Sequence, residues 1–225
     1  MSIVEVNVLD KGYVKLVDHM GSDLSVVNAA RVSFEKESSD LSKNDEKLIR
    51  YLVEHNHMSP FRHAFIALEI KAPLITCRQW WKYVVGSDHT MDGWNEVSRR
   101  YVDTPPEYYH PKEWRNASKD KKQGSEGVRD DSRTWEIKLK TITEYCDAYY
   151  QEAIHDGVAP EQARLYLPAY AMYTQWRWSA SLQSVAWFLR QRLAEDAQYE
   201  IQQYAQAVKQ IVEPLFPISV KELMK

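Results

Sequence analysis

Apolar residues recur along the chain in two spacings, one typical of strands and one typical of helices. Val4, Val6 and Val8 alternate with polar residues and predict a half-buried strand, whereas 61–71 is apolar on both faces and predicts a central strand. Helices are expected where an apolar stripe follows an N-cap serine or a first-turn proline. The expected strands cover 4–8, 13–17 and 61–71, and the expected helices cover 23–31, 43–54, 73–85, 135–155, 160–168, 181–192 and 196–212.

Two stretches of the chain show neither the strand spacing nor the helix spacing of apolar residues. Residues 86–93 are expected to form a loop, and the segment from about 103 to 133, rich in Pro, Lys, Asp, Gly and Ser, is expected to be a solvated excursion with no function of its own. Strands and helices follow one another without strict alternation, which indicates the α+β class. We expect one domain over residues 1–225 that carries this excursion.

The amino-acid composition argues against several classes of protein. The 225 residues include 29 Lys and Arg against 32 Asp and Glu, and the net charge of −3 argues against a dedicated nucleic-acid binder. No apolar run reaches the roughly 18 residues of a membrane span, and no signal-peptide core is evident, so no membrane association is expected. Cys77 and Cys146 are too few for a disulfide framework or a metal cluster, which favours a cytoplasmic location.

The first candidate for chemistry is a pair of cations on one helix face, Arg78 and Lys82. Two like charges four residues apart repel each other unless an anion lies between them, so the pair would suit a phosphate or carboxylate ligand. The plainer alternative is a solvated face with snorkelling side chains and with Trp80 and Trp81 in the core. The spacing alone favours that alternative.

The second candidate is the polar segment 94–101. Ser98, Arg99 and Arg100 supply a hydroxyl, two guanidinium groups and backbone N–H donors within three residues, which can hold a phosphate. Glu96 beside them could accept a hydrogen bond from a sugar hydroxyl or a base N–H. A polar loop without a ligand explains the same residues equally well.

Single polar residues carry less information. Arg164 and Arg192 would ordinarily be surface charges, His57 a structural histidine and Cys77 a buried, inert thiol. No third ligand accompanies His57 and His63, so no metal site is expected.

Taken in order, six short blocks resemble the flavin-dependent thymidylate synthase family over almost the whole chain. Any one block is weak evidence, but six in the right order are specific. The blocks are 8–18, 29–34, 55–63, 95–101, 163–168 and 199–205.

The resemblance implies an α+β subunit with a central antiparallel sheet, assembled as a homotetramer with active sites at subunit interfaces. It implies that dUMP is converted to dTMP with methylenetetrahydrofolate, and that FAD carries hydride from NADPH. It also implies that no cysteine acts as a nucleophile.

The resemblance also assigns roles to individual residues. Arg192 would polarise a uracil carbonyl, Glu96 would bridge nucleotide and flavin, and His57 and Tyr101 would lie by the flavin and folate, with Ser98 and Arg192 among the catalytic residues. The residues expected to hold dUMP are Gln79, Lys82, Glu96, Ser98, Arg99, Arg100, Arg164 and Arg192. The residues expected at the flavin are Ser33, Ser59, Lys82, Tyr83, Val84, Glu96, Ser181, Gln183 and Trp187.

The chain departs from the family pattern on the flavin side. Lys82, Tyr83 and Val84 stand where the family has Arg-His-Arg, and about six residues, 88–93, are inserted before Ser98. Three interpretations remain open. The leading one is that FAD is retained through altered contacts. The second is a relative that keeps the pyrimidine nucleotide site but does different one-carbon chemistry, such as hydroxymethylation. The third is a catalytically inactive protein that binds a nucleotide or serves in assembly.

Overall fold

The computed structural model describes residues 4–86, 92–102, 104–119 and 124–225. The strands are β1 (Glu5–Val8), β2 (Gly12–Met20), β3 (Phe65–Pro73), β4 (Gly93–Glu96), β5 (Arg115–Ala117), β6 (Ser125–Val128) and β7 (Tyr173–Ser181). The helices are α1 (Asp23–Arg31), α2 (Lys43–Glu54), α3 (Leu74–Gly86), α4 (Ser132–His155), α5 (Pro160–Ala163), α6 (Leu182–Arg192), α7 (Tyr199–Val212) and α8 (Pro217–Leu223). Short 3₁₀ turns cover Val32–Phe34, Ser59–Arg62 and Arg164–Tyr166.

Five strands form one antiparallel sheet in the order β1-β2-β3-β7-β4. Its centre is the long pair β3 and β7, in which Ile70 lies opposite Trp176 and Leu68 lies opposite Trp178. Alternate residues of both strands are buried on the same face, the pattern of a sheet covered by helices on that face. The mixed helices and antiparallel sheet confirm the expected α+β class.

An aromatic cluster joins the sheet to the helices that carry candidate site residues. Trp80 of α3 stacks on Phe188 of α6 with ring centroids 4.2 Å apart, and its edge meets Trp176 and Trp178 of β7 at 5.4 Å. All four side chains are buried. Since truncating one such ring costs about 3–5 kcal/mol, the cluster holds α3 and α6 in fixed positions against the sheet.

Most N-terminal elements match expectation. The observed β1, α1 and α2 follow the expected bounds, and Ser42 caps α2 by accepting a hydrogen bond from the Asp45 N–H. The third strand begins only at Phe65, because the chain around Pro60 forms a 3₁₀ turn. The helix expected over 160–168 is wrong in its length, since only α5 is helical and a 3₁₀ turn follows it.

The largest differences lie in the middle and at the end of the chain. Neither β7 nor α8 is expected from the sequence, and α7 begins at Tyr199 rather than 196. The end of the expected loop 86–93 is the first residue of β4, and the excursion contains the β5–β6 hairpin and the first residues of α4. Residues 88–91 of the inserted segment 88–93 lie outside the described residues. None of the helices in the described ranges is both long and apolar enough to cross a bilayer.

Candidate active site

A cleft of about 1040 Å³ opens where the end of β4 and the start of β7 meet residues 97–102, residues 104–107 and the turn after α5. It brings together four of the residues expected to hold a nucleotide, although they lie up to 68 positions apart in the sequence. These are Glu96, Ser98, Arg99 and Arg164. The gathering of a carboxylate, a hydroxyl and two guanidinium groups around one space gives the cleft the chemistry of a phosphosugar site.

Polar contacts fix the walls of this cleft. The Thr174 hydroxyl donates to Glu96 Oε1 at 2.8 Å, which aims the carboxylate across the end of the sheet. Lys71 forms an ion pair with Glu107, and the Tyr173 hydroxyl donates to Asp10 Oδ1 at 2.5 Å. These contacts tie the segment 97–107 and the β1–β2 turn to the central strands.

The arginine-rich segment is folded back on itself. The Arg99 guanidinium donates to the backbone carbonyls of Thr104 and Pro105, while the Tyr101 N–H donates to the Ser98 carbonyl at 3.0 Å. Arg99 therefore holds the loop closed. Arg100 is exposed, lies over the Tyr101 ring at 5.2 Å, and is not among the residues that line the cleft.

A smaller space of about 410 Å³ adjoins the cleft and shares Glu96 with it. Arg78 and Lys82 line it together, as their helical spacing predicts, and Trp81 lies between them in sequence. Trp94 of β4 forms a second wall, with its ring 5.1 Å from that of Trp81. The space therefore combines two cations with two indole rings.

Cys77 also reaches this smaller space, but its thiol is a poor nucleophile. The residue is 3% exposed, and burial raises the pKa of the thiol well above its ordinary value, with Glu96 acting in the same direction. A thiol held protonated neither attacks carbon nor binds a metal. This agrees with the expectation that no cysteine takes part in the chemistry.

Two further nucleotide candidates, Gln79 and Arg192, contact each other and line neither of these two spaces. Arg192 Nη2 donates to the backbone carbonyl of Gln79 at 3.1 Å, and the side-chain amide of Gln79 donates to the side-chain oxygen of Gln198. Gln198 in turn donates to Glu200 Oε2 at 2.7 Å. One chain thus presents its candidate nucleotide residues in two groups, one around the cleft and one beside α7.

The remaining candidates are dispersed. His57 packs with the rings of Tyr51 and His55 at the end of α2. Ser33 and Ser59 are exposed in 3₁₀ turns, and Ser181 caps α6 by accepting from the Ser184 N–H at 3.2 Å. Tyr83 and Val84 lie in the last turn of α3, and their side chains fall outside the described part of the structure.

Two candidates on α6 differ in burial. Gln183 Oε1 is buried and accepts no hydrogen bond from any described residue, whereas Trp187 is 49% exposed with Arg190 5.0 Å above its ring. A buried acceptor without a donor is costly unless something else supplies one. Both side chains are therefore suited to a ligand with N–H donors and a flat ring.

Sequence reasoning missed several residues that shape the site. Thr174, which orients Glu96, and Trp94, which faces Trp81, lie on strands that the sequence pattern does not reveal. The Gln198–Glu200 link was also missed, because a Gln and a Glu at the start of a helix ordinarily face solvent. The alternation of Trp176 and Trp178 with polar residues is the signal that could have identified β7.

Comparison with known proteins identifies the family to which the chain belongs. The profile of the family described as thymidylate synthase complementing protein matches residues 15–218. The chain is 39% identical over 212 residues to a flavin-dependent thymidylate synthase of Thermus thermophilus, covering 94% of this chain and 75% of that protein. The chain belongs to the flavin-dependent thymidylate synthase family. The resemblance noted in the sequence is therefore confirmed, and the chain is an enzyme of this class.

Other members of the flavin-dependent thymidylate synthase family agree along nearly the full length. The protein of that name from Kosmotoga olearia is 39% identical over 224 residues, covering 98% of this chain and 94% of its own. Among solved structures, the UMP/dUMP methylase PolB from Streptomyces cacaoi bound with 5-Br dUMP superposes with a TM-score of 0.83 at 26% identity, covering 96% of each chain. The same methylase bound with 5-Br UMP gives a TM-score of 0.80 at 25% identity, covering 97% of this chain and 96% of that one.

Proposed function

We propose that this chain converts dUMP to dTMP with methylenetetrahydrofolate, with FAD carrying hydride from NADPH. The single observation that carries the proposal is the cleft that gathers Glu96, Ser98, Arg99 and Arg164 in a member of this family. Its wall chemistry suits a nucleotide phosphate and sugar, and the methylase of similar fold binds brominated analogues of dUMP and UMP.

In this proposal, the nucleotide phosphate lies near Ser98, Arg100 and Arg164. The two arginines supply charge-assisted donors that match the phosphate oxygens. Arg99 holds the loop that carries Ser98, because its guanidinium is engaged by two backbone carbonyls. Arg100 is exposed and can therefore turn towards the phosphate without breaking a buried contact.

Arg192 supplies the electrostatic part of the reaction. A guanidinium stays protonated at any working pH, so it can stabilise negative charge that develops on a uracil carbonyl oxygen. The buried, protonated Cys77 leaves no thiol nucleophile in the adjoining space, so the pyrimidine ring would be activated by this hydrogen bonding rather than by addition of cysteine.

The residues on the flavin side fit FAD in part. Gln183 offers a buried acceptor that needs a donor, Trp187 offers an exposed ring, and Lys82 offers a cation. When bound, FAD supplies the hydride that completes the methyl group. Glu96 lies in both described spaces and would contact nucleotide and flavin together.

The proposal includes a homotetramer with active sites between subunits. Candidate nucleotide residues form two separate groups within one chain, and a site shared between copies would bring such groups together. Apolar side chains at helical spacing are also left exposed along α4, which supports contact with further copies. They are Trp135, Ile142, Tyr145 and Tyr149.

The test is product analysis with purified protein, FAD, NADPH, methylenetetrahydrofolate and dUMP. We expect dTMP, together with a flavin absorbance band near 450 nm that shifts when dUMP is added. Hydroxymethylated dUMP in place of dTMP would contradict the proposal and would favour the altered one-carbon chemistry. Binding of dUMP without flavin at high FAD would contradict the cofactor assignment.

A second substrate is favoured by one specific observation. The solved structures of similar fold come from a methylase described as acting on UMP as well as dUMP. The same assay should therefore be run with UMP. Methylation of UMP at a comparable kcat/KM would identify a nucleotide methylase that does not distinguish ribose from deoxyribose.

A further inference from the structure

Glu200 is a charged residue in an almost closed environment. It is 4% exposed, and its Oε1 accepts from Arg115 Nη2 at 2.6 Å and from the Tyr109 hydroxyl at 3.3 Å. Its Oε2 accepts from Gln198 Nε2 at 2.7 Å. Burial acts to raise the pKa of Glu200, but the hydrogen bonds from Arg115 and Gln198 outweigh it and hold that pKa below its ordinary value. The carboxylate is therefore ionised and can only accept hydrogen bonds.

Arg115 comes from the excursion that the sequence presents as a solvated segment without function. Its Nε donates to the Ser125 hydroxyl at 2.7 Å, so both strands of the β5–β6 hairpin hold the guanidinium in place. The same guanidinium lies over the Tyr199 ring at 4.7 Å. The hairpin thus delivers a fixed cation to the first turn of α7.

Because the Glu200 carboxylate can only accept hydrogen bonds, it fixes the orientation of two side-chain amides, first that of Gln198 and then that of Gln79. The NH₂ group of Gln198 must face Glu200, which turns the Gln198 carbonyl oxygen towards α3. The Gln79 side chain then donates its NH₂ group to that oxygen. As a result, the side-chain oxygen of Gln79 is directed away from Gln198, and no residue in the described ranges donates to it. The backbone carbonyl of Gln79 meanwhile holds Arg192 at 3.1 Å.

We propose that Arg115, Glu200 and Gln198 are positioning residues for the nucleotide, which they orient through the side-chain amide of Gln79. This inference rests on the proposed function, because it assumes that Gln79 contacts dUMP. The hairpin of the excursion is then part of the active-site architecture, although its residues lie away from the reacting atoms.

The decisive variant is Glu200→Gln, which keeps the shape of the side chain but can donate as well as accept. Both glutamine amides are then free to turn over, so we expect dUMP binding to weaken by about tenfold while kcat changes less. In a Gln79→Ala background, Glu200→Gln should cause no further loss of dUMP affinity. A residue with a merely structural role would instead weaken binding by the same factor in both backgrounds, and that result would overturn the proposal.

Two further variants keep the test independent of folding defects. Arg115→Lys retains the charge but not the two-point contact with Ser125 and Glu200, and should give a weaker effect of the same kind. Arg129→Gln is the matched control, because Arg129 follows β6 and, within the described ranges, its side-chain nitrogens donate to the exposed residues Asp131 and Asn116. Its dUMP affinity should stay within about twofold of the parent value.

Thermal unfolding separates this proposal from the proposed function. The melting temperatures of the parent, Glu200→Gln, Gln79→Ala and the double variant form a cycle that needs no nucleotide. Non-additive shifts would support the physical link between Glu200 and Gln79, and additive shifts would overturn it. If the parent protein binds no dUMP, the proposed function fails, and this cycle still decides whether the two residues are coupled.

Discussion

The two groups of candidate nucleotide residues differ in how they are held. In the group at the cleft, Glu96 and Arg164 are exposed, and so is Arg100, which follows the cleft residue Arg99 in the chain. Beside α7, Gln79 and Arg192 belong to a chain of hydrogen bonds that ends at the buried Glu200. Satisfied polar networks in a low-dielectric interior are rigid, whereas exposed charged side chains keep their rotamer freedom.

The difference indicates that the two groups are suited to different parts of the nucleotide. The rigid group is suited to the base, where a small displacement would misplace the charge that stabilises the reacting ring. The exposed group is suited to the phosphate, whose symmetric charge tolerates several arginine positions. Substitutions in the two groups should therefore affect different kinetic constants.

The largest effect is expected for Arg192→Ala in the rigid group. Removing the donor that polarises the uracil carbonyl should lower kcat/KM for dTMP formation by about 100-fold or more. Initial rates at saturating folate and NADPH measure it. Arg133→Ala is the control, since Arg133 pairs with Glu136 on an exposed turn of α4. A loss below about threefold would place Arg192 outside the site.

A smaller and different effect is expected for Arg164→Ala in the exposed group. Its side chain donates only to the Glu161 carbonyl among the described contacts, so its loss disturbs little of the fold. The KM for dUMP should rise about tenfold with kcat nearly unchanged, because a charge-assisted contact to the phosphate is lost. Deoxyuridine, which lacks the phosphate, should show no difference between variant and parent. Equal effects on both substrates would contradict a phosphate role.

Thr174→Val tests the contact that aims Glu96 into the cleft. The variant keeps the shape of a β-branched residue on β7 but removes the hydroxyl that donates to Glu96 at 2.8 Å. A roughly fivefold loss in kcat/KM is expected, because fivefold corresponds to about 1 kcal/mol, the net contribution of an ordinary solvent-accessible hydrogen bond. Thr134→Val, near the start of α4, serves as the matched control. An unchanged kcat/KM would show that Glu96 needs no such support.

The smallest effect is a pH dependence of stability that arises from the rigid group. Because the pKa of Glu200 is lowered on folding, its ionised form stabilises the protein above the ordinary value of 4.5, and this contribution is lost as pH falls through the folded-state pKa. The melting temperature should fall as the pH is lowered from about 6 through the folded-state pKa of Glu200, and that of Glu200→Gln should fall less steeply, by a few degrees. Identical slopes would show that Glu200 does not contribute to acid unfolding.

The sequence predicts which candidate residues lie together better than it predicts the elements around them. The structure brings Ser98 and Arg99 to one cleft, and it brings Arg78 and Lys82 to one smaller space, as their spacing predicts. Such groupings can be predicted because a helix period and a short loop are local properties of the chain. The functional roles of these residues stay predictions.

Features that depend on distant pairing were not predictable in this way. The strand β7 is rich in Trp and polar residues, and it becomes a strand through its pairing with β3 and β4. The hydrogen-bond chain joins Gln79, Arg115, Arg192 and Glu200, which lie far apart in sequence. The same reason applies to the excursion, which the sequence presents as solvated, because its Arg115 meets Glu200 only in the folded protein.

The packed tryptophan rings provide an intrinsic spectroscopic signal for the smaller space. Trp94 stacks on Trp176 at 4.9 Å and meets Trp81 at 5.1 Å, and Trp176 in turn meets Trp80. Rings in contact influence one another's optical signals, so a change in the surroundings of Trp81 should also alter the circular dichroism of the indoles packed behind it. Trp81 borders the smaller space while Trp80 is buried, so an event at the surface of the site can be followed from within the core without any label.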